Sequence, residues 1–459
     1  MKKYIIGSLL ILVSCKTTQV AQKEVVETPK ASSSAVQELA SKFETSPIFS
    51  KTITGFALYD SEVDSILYGV NEDKYMTPAS NTKLFTYYAG LNMLGDRIPA
   101  LYYIIKGDSL IFWGTGDPSF LHPDFGTSDV FDLLNEFEGN IYFSDSNFAD
   151  EPLGPGWSWG DYDSYYSAEK SPLPIYGNVA RFTLEHIEQD RIAEENGEYL
   201  VSPKFFSDYV KNEGLNEDGR LSLSRDRVGN TYNYSFKSDT SRYEVDKPFH
   251  YTPELVVELL ADTLNKKVEY LSEFKMPEEF ETLYGMESDS LYKRMLLPSD
   301  NHVAEQIMMM ISGTLGGDLN VRKGINHVIE NYMSDLPDSP NWRDGSGLSR
   351  YNLFTPRSVV GLLKKIDEKV NNDELLFDSL PQGGKQGTIR RLYAARDGGP
   401  AYVFAKTGTL SNNHCLSGFV ITESGRKLLF SFMNNNYVIP TREVQNQMEE
   451  ILWFIHTNF

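Results

Sequence analysis

The sequence predicts a mixed α/β (α+β) protein: an antiparallel sheet flanked by helices, assembled from both ends of the chain around a large insertion forming one or two extra, mainly β domains. Three observations predict it. Near the start, Thr52 to Tyr59 and Ser65 to Val70 read as two strands around the acidic turn Asp60 to Asp64. Near the end, Tyr402 to Thr407, Ser417 to Thr422 and Lys427 to Met433 read as strands, with Glu423-Ser-Gly425 as a turn and an amphipathic helix from Thr441 to Phe454. Between Gly95 and Met295 lies a long stretch of mixed character, so the chain leaves one domain and returns to it. At 459 residues it exceeds what one ordinary core organises.

The chain opens with Met1, Lys2 and Lys3 and the apolar run Tyr4 to Val13, the basic start and short apolar core of a secretory signal. That run is too short to span a bilayer as a helix. It ends in Leu12-Val13-Ser14-Cys15, which resembles a bacterial lipobox, where cleavage before Cys15 leaves that cysteine N-terminal and lipid-modified; the alternative is an ordinary cleaved signal with a chance cysteine. Residues 1–14 therefore read as a signal peptide and 15–44 as a lipidated tether, polar from Lys16 to Ser34, with a short helix expected over Ala35 to Phe43. With Cys15 taken by lipid, Cys415 has no disulfide partner. Its apolar neighbours Leu416, Phe419 and Val420 predict a buried structural thiol.

After the hairpin, Leu84, Tyr87, Tyr88, Leu91 and Leu94 recur at helical spacing and Gly95 is a plausible stop, so Ser80 opens a buried helix. The middle is less informative. Asp190 to Glu198 and Asn212 to Arg220 read as polar loops, and Thr231 to Arg242 as strand.

Composition excludes several function classes. Asp and Glu outnumber Lys and Arg by 64 to 43, a formal net charge of −21 that repels polyphosphate, so nucleic acid is not an expected partner. The seven histidines form no HExxH and no Cys/His cluster at metal spacing, so neither a metal nor a cofactor is expected.

Ser80-Asn-Thr-Lys83 puts a hydroxyl and an amine three residues apart at a helix start, hence on one face, as a nucleophile and its base require. The same spacing occurs at Ser167, Ser272, Ser290 and Ser424, so alone it says little. Two further elements of that chemistry follow in order: Pro298-Ser299-Asp300-Asn301 ahead of an apolar helix, and Lys406-Thr407-Gly408 on a late strand. Ser-x-Asn recurs at Ser339 and Ser411, but only Ser299 opens a helix, where its plain role is an N-cap. Lys-Thr-Gly sits at the end of the expected strand, and a strand-end turn is its plain reading. A side chain at Gly408 would block a substrate lying along the strand edge. Lys83 is the nearest candidate base for Ser80; it must be neutral, which burial and the positive field of Lys406 favour.

These motifs, their order and the insertion between the first two resemble the low-molecular-mass class C penicillin-binding proteins, the D-alanyl-D-alanine carboxypeptidase/endopeptidase family. Further segments resemble it too: Gly114-Thr-Gly-Asp-Pro118, Gly156-Trp-Ser-Trp159, Asp344-Gly-Ser-Gly-Leu-Ser-Arg350 with Asn352 and Thr355-Pro356, and Leu380-Pro-Gln-Gly-Gly384 with Gly387-Thr388. The resemblance runs from residue 45 to the C-terminus. It implies a penicillin-binding/β-lactamase-like transpeptidase fold, with 45–95 and 290–459 as a split catalytic domain and 96–289 as inserted domains, part of which lines the active site.

The resemblance further implies Ser80 as nucleophile, Lys83 as base, Ser299 relaying a proton to the leaving D-alanine, and Asn301 holding Lys83 and the substrate amide. It implies an oxyanion held by the backbone N–H groups of Ser80 and Thr409, and a terminal carboxylate bound by Lys406, Thr407 and Thr409 beside Gly408. Peptidoglycan peptides are the implied substrates, β-lactams the covalent inhibitors, and the only membrane contact a lipid anchor on an exported, periplasm-facing protein. Where relatives often carry two acidic or amide residues after the second tryptophan, this chain has Gly160-Asp161. Asp161 is the candidate reader of the peptide's side-chain amine, or else a plain loop aspartate. The rivals are a β-lactamase, which chain length disfavours; a related esterase or amidase; and a non-catalytic β-lactam sensor or wall-binding lipoprotein, which the intact motifs disfavour.

Overall fold

The computed structural model describes residues 33–126, 129–184, 199–215, 222–236 and 243–459. The predicted signal, Cys15 and the tether up to residue 32 lie outside these, as does the loop expected over Asp190 to Glu198. In chain order come α1 (Ser33–Glu44), β1 (Ile53–Asp60), β2 (Ser65–Val70), α2 (Thr82–Met93), β3 (Arg97–Lys106), β4 (Ser109–Gly114), α3 (Asp129–Glu136) and β5 (Asn140–Phe143). Then follow β6 (Val179–Leu184), β7 (Tyr199–Ser202), β8 (Val210–Leu215), β9 (Ser222–Arg225), β10 (Tyr232–Phe236), β11 (Tyr243–Pro248), α4 (Pro253–Leu264), β12 (Val268–Tyr270) and β13 (Glu281–Glu287). The remainder is α5 (Ser288–Leu296), α6 (Asn301–Gly313), α7 (Val321–Tyr332), α8 (Pro356–Val370), α9 (Asp373–Ser379), β14 (Val403–Leu410), β15 (Asn413–Ile421), β16 (Lys427–Asn435) and α10 (Thr441–Asn458).

The two ends of the chain build one five-stranded sheet, in the order β14-β15-β16-β1-β2. Every neighbouring pair in it is antiparallel. Both faces are covered. Phe56, Leu58, Leu428, Phe430 and Phe432 pack with Leu39 and Phe43 of α1 and with Met448, Ile451 and Leu452 of α10. Ala57, Tyr59, Phe419 and Leu429 face the other way, into a core with α2, α6 and α8. Burial on two sides is why these strands read as apolar runs rather than as clean alternation. Helix α6 is buried at every position from His302 to Gly313, which makes it the central post of that second core.

Residues between β3 and β13 form the rest. A five-stranded sheet, β12-β5-β4-β3-β13, packs Leu101, Leu110 and Phe112 against Leu255 and Leu259 of α4. Two three-stranded sheets, β11-β6-β7 and β8-β10-β9, complete it. Part of the stretch expected as a polar loop from Asn212 is instead strand β8, paired in parallel with β10. Its Lys211, Asn212 and Glu213 are exposed on an edge strand, where backbone pairing needs no apolar face. Of the strand expected over Thr231 to Arg242, Tyr232–Phe236 is observed and 237–242 lies outside the described residues. No helix among the described residues is long and apolar enough to cross a membrane.

Candidate active site

Ser80 lies in a short 3-10 turn, Ala79–Asn81, that leads directly into α2. Ala79 before it is held at φ +49°, and Ser299 at φ +68°, so a left-handed non-glycine residue sits at or next to each candidate hydroxyl. Such conformations persist only where the surroundings over-determine them.

Lys83, one turn on, is fully buried. Its Nζ donates to Asn301 Oδ1 at 2.6 Å and to the Ser346 carbonyl at 2.8 Å, and stands 3.0 Å from Ser80 Oγ. The Asn301 amide is oriented by its Nδ2, which donates to the Tyr166 carbonyl at 2.9 Å. Two of the three partners can only accept. When Lys83 is neutral, its two N–H bonds stay with Asn301 and Ser346 and its lone pair is left facing the Ser80 hydroxyl. Burial pushes the Lys83 amine down to about 8, against the opposing pull of Asp300, Glu305 and Asp344.

Lys406 is also fully buried, with Nζ donating to Ser299 Oγ at 2.8 Å and to the Thr407 carbonyl at 2.9 Å. Burial first, and repulsion from Lys83 second, hold it well below the usual lysine range. Desolvation is the first cause for both lysines, and the mutual repulsion of the two ammonium groups disfavours charging both at once.

The N-cap of α6 is Asp300, not Ser299. Its Oδ1 accepts from Val303 N at 3.0 Å while Arg294 Nε grips Oδ2 at 3.1 Å. The left-handed backbone at Ser299 turns that hydroxyl toward Lys406 instead.

Lys406-Thr407-Gly408 lies inside β14, which continues to Leu410, rather than at a strand end. A Cβ on Gly408 would stand 2.3 Å from the Pro78 carbonyl oxygen and 3.0 Å from Ser80 N. Glycine is needed there because β14 runs against the backbone of the Ser80 turn. Asn81 clamps the same contact, with Nδ2 on the Lys406 carbonyl at 2.5 Å and Oδ1 accepting from Ser417 at 3.0 Å. Strand β14 is an edge strand. Its Ala405 N–H points outward to the Pro381 carbonyl at 2.9 Å, so by the two-residue repeat Thr407 and Thr409 present their N–H groups along the same free edge. Thr388 Oγ1 sits 2.8 Å from Thr407 Oγ1, and His414 Nδ1 is 2.8 Å from Thr409 Oγ1.

The segment Asp344 to Arg350 closes the floor. Asp344, fully buried, accepts from Gly347 N at 2.9 Å, Ser349 N at 2.6 Å, Asn352 Nδ2 at 2.7 Å and Trp157 Nε1 at 2.9 Å. Glu305 of α6 accepts from Gly345 N at 3.0 Å and Ser346 N at 2.8 Å, and burial raises its carboxyl to about 7. Together they fix the Ser346 carbonyl that Lys83 reaches.

Asp161 ends the turn Trp159–Asp161 and is half-buried. It lies near Tyr166, whose backbone carbonyl is the one that holds Asn301. It thus stands beside the cleft but outside the lysine network. Ser346, Tyr166, Asn81 and Glu305 were not anticipated. The first two act through carbonyls, which no side-chain pattern reveals, whereas a lone acid inside the apolar run Val303 to Ile311 was a readable signal. Cys415 is buried, with Sγ 3.5 Å from the Thr77 carbonyl, and burial pushes its thiol up to about 12.

Comparison with known proteins shows the family. The chain is similar to D-alanyl-D-alanine carboxypeptidase DacB of Haemophilus influenzae, 22% identical over 87% of this chain and 89% of that protein. It is likewise similar to the D-alanyl-D-alanine carboxypeptidase of Actinomadura sp. R39, 26% identical over 86% of this chain and 80% of that one. Its fold matches the crystal structure of penicillin binding protein 4 (dacB) from Haemophilus influenzae with a TM-score of 0.71, at 22% identity, covering 91% and 97% of the two chains. The family model for D-Ala-D-Ala carboxypeptidase 3 (S13) matches residues 35–456, and the chain belongs to that family of serine peptidases.

Proposed function

We propose that this peptidase removes the terminal D-alanine of peptidoglycan stem peptides, or cleaves their crosslinks, through an acyl-enzyme on Ser80. The observation that carries the reading is the buried Lys83 amine 3.0 Å from Ser80 Oγ, lowered to about 8. Ser80 Oγ attacks the carbonyl carbon of the penultimate D-alanine, and Lys83 Nζ takes the hydroxyl proton. The negative oxygen that forms is met by the N–H groups of Ser80 and Thr409, a contribution of roughly 3 to 4 kcal/mol per donor in comparable sites. Ser299, bonded to Lys406, relays to the departing amine the proton that Lys83 took from Ser80, so that the peptide bond breaks with Ser299 again a hydroxyl and Lys83 again neutral. Water then cleaves the ester, with Lys83 again as base, and Ser80 is restored. Release of free D-alanine is carboxypeptidase action; when the amine belongs to a second stem peptide the same steps cut a crosslink.

Lys406 and the Thr407 and Thr409 hydroxyls bind the C-terminal carboxylate along the edge of β14, and Asp161 reads a side-chain amine. β-Lactams, as amides of the same shape, acylate Ser80. The protein acts outside the cytoplasm, where peptidoglycan is, and Cys15 is the proposed site of lipid anchoring.

Intact-protein mass spectrometry of chain from Thr17 onward tests this, with benzylpenicillin and separately with a pentapeptide muropeptide, beside Ser80→Ala. Expected are a long-lived penicillin adduct and loss of D-alanine or of a crosslink, both absent in the variant. Equal behaviour of the two proteins would remove Ser80 as nucleophile.

A further inference from the structure

A groove of about 650 Å³ lies beside the Asp344 loop. Three arginines meet in it: Arg322 from the first turn of α7, and Arg343 and Arg350, which flank the Asp344 loop. Among the described residues none of them is paired with a carboxylate. Arg322 makes only a 3.3 Å contact to the Trp342 carbonyl, and Arg350 a 3.2 Å contact to the Ser411 carbonyl. The groove's own acids do not neutralise them. Asp150 is held by Lys170 Nζ at 3.1 Å and by Val321 N at 2.7 Å, which leaves only Glu151, exposed at the rim. In a chain of formal net charge −21, three uncommitted guanidinium groups in one recess mark a local reversal of the field. Each can take a carboxylate through two parallel N–H bonds.

Between the arginines the wall is apolar. Tyr351, 60% exposed, and Leu353 line it, so the recess suits a peptide bearing an anion better than a bare ion. Its position relates it to the cleft. The loop between Arg343 and Arg350 supplies the Ser346 carbonyl to Lys83, and Arg350 reaches Ser411 in the turn after β14. Arg350 is thus shared between the groove and the loop that follows the β14 edge.

We infer that the groove binds an acidic, carboxylate-bearing segment of the substrate N-terminal to the scissile bond, with Arg322 and Arg343 as specificity-determining residues. This rests on the peptidase reading above. A second stretch of chain is thereby held outside the cleft, and the enzyme discriminates by the charge of a residue it does not cleave.

The test uses two peptides ending in D-Ala-D-Ala that differ only in a carboxylate or a carboxamide on the residue two before the acylating D-alanine. Wild type should favour the acid in kcat/KM by roughly five- to tenfold, a preference that falls as salt rises. Arg322→Gln/Arg343→Gln should bring the ratio close to one, with benzylpenicillin titration giving the folded fraction of each protein. A wild-type ratio near one, or a ratio that survives the double substitution, overturns the inference. If wild type cleaves neither peptide, the peptidase reading fails by itself. The groove is then judged by anisotropy of the acidic peptide carrying a neutral dye, on Ser80→Ala protein with and without the two substitutions. A Kd raised about fivefold by the substitutions supports it, and equal Kd values overturn it.

Discussion

Replacing Gly408 by alanine would put a Cβ 2.3 Å from the Pro78 carbonyl oxygen, 2.9 Å from Asn81 N and 3.0 Å from Ser80 N. All three are backbone atoms, so no side chain can rotate out of the way. Ordinary contact starts near 3.4 Å, and β14 must therefore retreat from the Ser80 turn by roughly 1 Å, a displacement that costs on the order of a hundredfold where reacting groups are aligned. The retreat carries Lys406 away from Ser299 and the Thr409 N–H away from Ser80, and stretches the Asn81 clamp. Overpacking of this kind also costs about 1 to 3 kcal/mol of stability. The assay is the second-order rate constant for benzylpenicillin acylation, followed by intact mass, together with thermal unfolding. We expect a fall of about a hundredfold and a melting temperature lower by several degrees. Acylation within about threefold of wild type with unchanged melting would refute the argument, because β14 would then not be pinned by the absence of a side chain.

Acylation should rise with pH through about 8, since the neutral Lys83 amine is the proposed base; Lys406 titrates in the same field, so the midpoint belongs to the pair, and a flat profile between about pH 6 and 10 would exclude Lys83 as base. Lys83→Met should abolish acylation yet raise stability near pH 7 by up to about 3 kcal/mol, because the folded state holds the amine at about 8 while the unfolded chain keeps its proton to about 10.5. Between those values the unfolded wild type binds more protons than the folded one, so wild type gains stability as pH rises and the urea midpoints should converge above pH 8. Asp344→Asn presents an NH2 where four donors converge, and should cost about 2 to 4 kcal/mol by urea unfolding; an unchanged midpoint would show the loop is held otherwise. Asp161→Asn should lower kcat/KM for a substrate with a free side-chain amine by about fivefold relative to its acetylated form, and an unchanged ratio would leave Asp161 a plain loop residue.

Much of the scaffold was legible because its signals are local. The β1–β2 hairpin, the three late strands and α10 are set by apolar runs and turn residues that act within a few positions, and each appears within a few residues of its expected place. The three motifs were legible because the proposed nucleophile, base and proton relay demand particular side chains at particular spacings. Segments whose pattern is weak were misread: β8 carries polar residues and is a strand only because β10 lies beside it.

What the sequence by itself determined is which polar side chains meet in the cleft, Ser80, Lys83, Ser299, Asn301 and Lys406, and the elements that carry them. Only the tertiary structure decided how those groups are tuned. Desolvation of Lys83, the choice of Asp300 over Ser299 as helix cap, the backbone contact that requires Gly408, and the Ser346 and Tyr166 carbonyls all depend on chain far apart in sequence. Burial and main-chain approach are properties of the packed whole, and residue types along the chain do not encode them one position at a time.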